Sequence, residues 1–266
     1  MGAVVDISTR NPVYSSLDGS VVDMSTGVIF ETNTARTAAF ILATGITDPV
    51  IIAALNTFDL GLISNSLDSA MIAMRIFVGG NAIDEAVDFF ANRNIAFNGG
   101  WTFPNGALGD GTTGYYQSNI VPDTDMTESD YSYGFYFGSG SAANEFIGNY
   151  GGGCFFGFYK VGSDIYIYCN TPVDIAPITP SSFVGFHQIT KADGSNVKYK
   201  HSGESIETRA AVPTVAMCDQ EFLFGSGLST YPEFEVYLDY FTNRALTSGE
   251  MATLETLVET LQAAIR

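Results

Sequence analysis

From Ile95 onward the chain is a succession of short aromatic runs broken by glycine turns, and this texture restricts the fold more than any other feature of the 266 residues. "YSYGFYF" places Tyr131, Tyr133, Phe135 and Phe137 at alternate positions, which form one face of a strand. "CFFGFYK" instead carries aromatic rings on both faces, Phe156 and Phe158 on one, Phe155 and Tyr159 on the other. Such a strand needs cover on both sides, from helices or from a second subunit. "DIYIYC", "SFVGFHQI", "NVKYKH" and "EVYLDYF" continue the series. The pattern predicts an all-β sandwich over residues 95–266.

The preceding residues divide in two. Residues 1–33 show apolar pairs separated by Ser, Thr, Gly and Asp without a sustained period, and are expected to form an extended arm ordered only by a partner. Residues 34–94 carry helical signals. Thr34 is placed to cap "ARTAAFILAT" with Gly45 closing it, and Thr47 or Asp48 caps a second helix with Pro49 in its first turn. "LDSAMIAMR" reads as a third short helix. These helices are too short to close a core alone and are expected to pack on the sandwich or on copies of themselves.

Charge narrows the partners. The net charge is -18 and the sequence pI about 4.1, which speaks against nucleic acid and anionic membrane. Charged residues make up only 15% of the chain, well under the usual quarter or so, so part of its apolar surface is expected to lie between subunits or against a scaffold. The richest apolar region is interrupted by Asp48, Asn56, Asp59 and Asp68, too often for a membrane span. "MGAVVDISTR" has neither the basic nor the apolar region of a secretory signal, and synthesis in a cytoplasm is expected.

Candidate chemistry concentrates in "PEFEVYLDY". Strict alternation would turn Phe234, Val236, Leu238 and Tyr240 to the core and set Glu233, Glu235, Tyr237 and Asp239 on a wet opposite face. Glu233 and Glu235 would then stand about 7 Å apart, within the range of a glycosidase pair, but a solvated strand face is the simpler reading. His187 and His201 each fall on strands without metal-ligand spacing, and satisfied core histidines are expected. "FGSGS" and "FGSGL" lack the frame of a serine nucleophile, and "GDGTTG" lacks that of a phosphate loop. "DTDMTESD", residues 123–130, is acidic without the turn glycine and terminal Glu of a calcium loop. Cys154, Cys169 and Cys218 are too scattered for a disulfide framework, and buried free thiols are expected. Within "CFFGFYKVGSDIYIYC" a turn on Val161-Gly162 would set Cys154 opposite Cys169, and a turn on Gly162-Ser163 would offset them by two residues. No catalytic, cofactor or metal residue is assigned.

"FLFGSG" followed by "EFEVYLDYFTNRALTSGEMATLETL" resembles the end of a laminin-G-like, concanavalin A-like jelly roll, closest over Leu238 to Leu254. "FNGGWTFPNGALGDGTTGYYQS" resembles the entry to the same domain. The E-x-D-x-E signature of sandwich glucanases is absent, since Phe234 stands where the middle acid would be. "AAFILATGITDPVIIAALNTF" and "FVGG" resemble helical regions that precede such domains in bacteriophage head, tail and fibre proteins.

The resemblance implies a mainly β protein, a concanavalin A-like jelly-roll sandwich preceded by a short helical segment and an extended arm and closed by a C-terminal helix. It implies a non-enzymatic virion component, a head or tail appendage or capsid decoration, without cofactors. That component would be anchored by residues 1–33 and partnered by its own copies, a trimer among them, and by capsid or tail proteins. The alternative is a carbohydrate-binding module recognising a host surface glycan, with Trp101, Tyr115 and Tyr116 as sugar-stacking candidates whose simpler fate is core burial.

Overall fold

The computed structural model describes residues 21–23, 28–30, 33–78, 80–82, 86–90, 93–140, 145–151, 154–169, 177–210, 221–224 and 233–266. Most of the predicted arm lies outside these residues. Within it, β1 (Val21–Asp23) and β2 (Val28–Phe30) pair as an antiparallel hairpin.

Two antiparallel sheets face each other. Three short strands enter the sandwich from its N-terminal side: β3 (Met71–Ile76), β4 (Ala96–Asn98) and β5 (Trp101–Thr102). The long strands are β8 (Tyr131–Gly140), β9 (Glu145–Gly151), β10 (Cys154–Val161), β11 (Asp164–Cys169), β12 (Gly185–Lys191), β13 (Asn196–His201) and β16 (Phe234–Thr242). Between them fall β6 (Ala107–Gly109), β7 (Tyr115–Gln117), β14 (Glu207–Ala210) and β15 (Leu223–Phe224). The smaller sheet runs β11-β10-β9-β15-β7-β4; the larger runs β14-β13-β12-β8-β16-β6-β5, with β3 also on β16. This is the all-β sandwich that the aromatic alternation predicts, with the jelly-roll character that the resemblance implies.

Tyr131, Tyr133, Phe135 and Phe137 face the smaller sheet, where Tyr116, Ile147, Phe156, Ile167 and Phe224 meet them. A second core lies on the other side of the larger sheet. There α1 (Ala35–Thr44), α2 (Pro49–Ser64) and α4 (Ser248–Ile265) cover Met74, Ile76, Phe186, Leu238 and Tyr240. Every residue of β12 is consequently buried. It is the larger sheet, rather than the strand of "CFFGFYK", that the helices cover on its second face.

The caps follow the sequence. The Thr34 hydroxyl accepts from the Thr37 amide, Gly45 closes α1 at φ 68°, and Asp48 caps α2 ahead of Pro49. Thr247 and Glu250 form the capping box of α4. Arg244 grips the same Glu250 carboxylate through both terminal nitrogens, and chiefly this holds that carboxyl down at about 2. The N-R-A-L corner is thus an ion-paired hinge between β16 and α4. Thr247→Ala should cost about 1 kcal/mol of stability by the loss of one cap, read as a lowered urea midpoint at unchanged slope.

The helix predicted over "LDSAMIAMR" is absent. Only Asp68–Ala70 makes a 3-10 turn, and Met71–Ile76 is a strand paired with β16 from Ile76↔Leu238 to Met71↔Thr242. Helix propensity lost to tertiary pairing, because both faces of this strand have a core to enter: Ala73 joins the inter-sheet core, and Met74 and Ile76 the helical one. The hairpin turn falls on Gly162-Ser163, so Phe156 stands opposite Cys169. Cys169 is a buried free thiol pushed up to about 11 by burial, which removes its nucleophilic form at neutral pH. Cys218 lies outside the described residues.

Candidate functional site

The acidic strand face predicted on β16 does not exist as a unit. A β-bulge shifts the register between Val236 and Leu238, and it inverts the alternation. Phe234 and Val236 enter the inter-sheet core, Leu238 and Tyr240 turn to the helices, and Asp239 is carried inward. There its carboxylate meets Arg75 directly opposite on β3, at 2.7 Å from Nε and 3.0 Å from Nη2, and accepts from the Tyr116 hydroxyl. Arg75 also donates to the Ser118 carbonyl at 3.2 Å. Burial pushes the Asp239 carboxyl up, while Arg75 and Tyr116 pull it back. Because the guanidinium keeps its proton, the carboxylate stays ionised beside it. Glu235 is buried too and accepts from the Tyr237 hydroxyl at 2.6 Å, whereas Glu233 stays exposed. The carboxylates of "PEFEVYLDY" are therefore dispersed over three environments.

His187 is a satisfied core residue, as expected, whereas His201 is buried with Nε2 on the Val184 carbonyl at 3.1 Å and Nδ1 without a hydrogen bond, 3.4 Å from a Glu204 oxygen. His187 and His201 are cross-strand partners on β12 and β13, ring centroids 4.5 Å apart. His187 Nε2 donates to the Phe183 carbonyl at 2.8 Å, and Nδ1 accepts from the Tyr199 hydroxyl at 2.7 Å, which defines the neutral Nε2-H tautomer. Burial, with His201 beside it, pushes this imidazole down to about 3. Of the sugar-stacking candidates only Tyr116 is fully buried; Trp101 and Tyr115 are half-buried, the Trp101 indole N–H held by the Asn98 and Tyr115 carbonyls. The segment 123–130 is structural, with Asp125 on Arg93 and Asp130 accepting from the Ala245 amide. Among the described residues no acidic, histidine or cysteine group is arranged to hold a metal ion.

A site that sequence reasoning missed lies on the helical side of the larger sheet, where the end of α4 passes beside β8 and β16. It is a cavity of about 420 Å³ lined by Tyr136, Tyr237, Val184, Glu259, Gln262 and Arg266, among others. The β16 bulge that buries Asp239 also turns Tyr237 outward. Gly106 and Gly138 let its ring lie flat on the sheet, since a Cβ at either would collide with it. Tyr136 stacks beside it at 5.8 Å between centroids, and the Arg266 guanidinium lies 3.2 Å from the Tyr237 ring centre.

Polar groups line the same space. Glu259 accepts from the Tyr136 hydroxyl at 3.0 Å and from Ser202. Burial first, then Glu259 at Tyr136 and Glu235 at Tyr237, pushes both phenols up to about 12, so they remain neutral hydrogen-bond donors. Gln262 accepts from Arg266 Nε at 2.8 Å through Oε1, but its Nε2 hydrogens meet no partner although the residue is only 4% exposed. The sequence traces of this site are the glycines beneath Tyr237, Gly106 and the first glycine of "YFGSG", Gly138. Nothing local marks Tyr136, Tyr237 and Gln262 as neighbours.

The fold that carries this cavity is a lectin-like jelly-roll sandwich. No protein-family model and no curated protein matches the sequence. Among solved structures it is similar to a mutant of Trypanosoma rangeli sialidase displaying trans-sialidase activity, with TM-score 0.52 and 13% identity over 81% of this chain and 38% of that one. It is also similar to botulinum neurotoxin type C, whose cell entry depends upon interaction with two ganglioside molecules, with TM-score 0.55 and 12% identity over 73% of this chain and 53% of that one. The binding domain of botulinum neurotoxin DC, solved in complex with rat synaptotagmin II, matches with TM-score 0.52 and 13% identity over 73% and 52%. This chain spans between 38% and 53% of the length of these proteins. At such identities the likeness is one of fold.

Proposed function

We propose that the chain is a non-enzymatic carbohydrate-binding module that recognises a host surface glycan through the cavity between Tyr136, Tyr237 and the end of α4. The observation that carries this reading is the pairing of aromatic walls with an unsatisfied amide donor at Gln262. A sugar that displaces Arg266 from the Tyr237 ring would lay its C–H side on that face, and fixed polar groups would take its hydroxyls. A ligand oxygen that accepts from Gln262 Nε2 relieves an unpaired buried donor, which otherwise costs about 1–3 kcal/mol. The lectin-like sandwich and the ganglioside dependence of one structural neighbour support the same class of ligand.

The setting that the sequence resemblance supports is a bacteriophage particle. In it the chain, made in the host cytoplasm, is a head or tail appendage or capsid decoration anchored by residues 1–33. The division into that arm, the segment 34–94 and the sandwich 95–266 belongs to this reading.

Binding to an array of bacterial surface polysaccharides tests the site. The wild type should retain at least one glycan without releasing reducing sugar. Tyr237→Ala and Gln262→Ala should each weaken it about tenfold or more, the equivalent of ~1.4 kcal/mol, while Tyr115→Ala, on the smaller sheet, leaves it unchanged. Absence of any retained glycan, or retention indifferent to both substitutions, overturns the reading. Sugar release would make the chain an enzyme.

A further inference from the structure

Helix α2 has an apolar inner side and an uncharged outer one. One side enters the core through Leu55, Phe58 and Leu62. The other is exposed and carries Val50, Ala53, Thr57, Leu60 and Ser64, a series of steps of three and four residues. That spacing is the seam of a helix packed along another helix at a shallow angle. Gly61 lets α4 approach closely at Leu257, where a Cβ would collide, and towards Pro49 and Ala264 the two helices frame an open groove of about 490 Å³. Its lining includes Val50, Ala53, Thr57 and Phe58 from α2 and Leu261 from α4, with no ionisable side chain. Among the described residues five large apolar side chains are exposed, and four of them, Leu42 at 85%, Val50 at 60%, Leu60 and Ile63, lie on α1 and α2.

We propose that this outer face of α2, with its groove against α4, is the interface for a second copy of this chain. Three observations select that occupant. The seam asks for a helix, and a two-fold axis across its midpoint supplies the same helix, so that each α2 enters the groove of the other. The chain carries net charge -18, so two copies repel wherever acidic surface meets acidic surface. On α2 the one ionisable residue is Asp59, buried and neutralised by Arg36, and this face is therefore where the molecule can meet itself without that cost. The area also suffices. A helix of this length is about 24 Å long, and with the flanking surface of α4 it covers about 500 Å² per copy, near the lower bound of about 1,000 Å² in total for a specific interface.

Sedimentation velocity on the full chain decides the matter. The expected result is a dimer at about 10 μM that Leu60→Glu or Ala53→Glu converts to a monomer, with at least a hundredfold loss of association and an unchanged far-ultraviolet spectrum. Should either glutamate disturb folding, Ala53→Gln, which adds bulk and an amide but no charge to the seam, must still weaken the dimer at least tenfold. A wild type that stays monomeric to about 100 μM overturns the proposal, as does a dimer indifferent to all three substitutions. Dimerisation that appears only after removal of residues 1–32 also overturns it and assigns the groove to that segment. A monomer that floats with phosphatidylcholine vesicles assigns it to lipid.

Discussion

Asp239→Asn is expected to destabilise the fold by about 3–5 kcal/mol, because it leaves the Arg75 guanidinium buried without its counter-charge. Arg75, Asp239 and Tyr116 are fully buried between the two sheets, and no solvent reaches them to compensate. A buried ion pair is not itself a large source of stability, since desolvating both partners offsets most of their attraction. The double variant Arg75→Met with Asp239→Leu should therefore recover at least half of the loss. Urea unfolding monitored at Trp101 reads both quantities. A single-variant loss below about 1 kcal/mol would show that water enters this layer, against the burial described here.

Acid should unfold the chain through His187. In the folded state this imidazole lies at about 3, because burial and the adjacent His201 oppose its protonation. Unfolded, it returns to about 6.5. Between those values the unfolded chain binds the extra proton, so stability rises with pH through the interval. The His187 contribution is complete above about pH 6.5 and declines as the pH falls towards 3. At pH 4 the loss amounts to roughly 3 kcal/mol, from about 1.4 kcal/mol for each unit of displacement.

Packed around the ring are Phe137, Phe183, Tyr199 and His201, and beyond His201 stands Glu204. Protonation at Nδ1 would also end the bond accepted from Tyr199. His187→Gln should show a shallower fall in urea midpoint between pH 6.5 and 4 than the wild type, with the acid-sensitive carboxylates Glu204 and Glu250 common to both. Parallel pH profiles for the two proteins would remove His187 from the account.

Much of the architecture was legible in the chain because its causes are local. The alternation of Tyr131, Tyr133, Phe135 and Phe137 needs only the two-residue period of a strand to set four rings on one face. The caps at Thr34, Asp48 and Thr247 act within three residues of themselves, so their residue types announce them. Tertiary structure alone decided the rest. Met71–Ile76 becomes a strand because β16 offers it an edge and two cores receive its side chains, and the Arg75–Asp239 pair near its end joins residues 164 positions apart. The β16 bulge reverses the alternation that strict periodicity extends past Val236, and it both buries Asp239 and presents Tyr237 to the candidate site. The cavity itself gathers β8, β16 and the end of α4, and Tyr136 and Glu259, which bond across it, are 123 residues apart. Local periodicity assigns a side chain to a face. Which face is core, which is water and which is a binding surface depends on how distant segments cover the sheet, and no window of the sequence contains that.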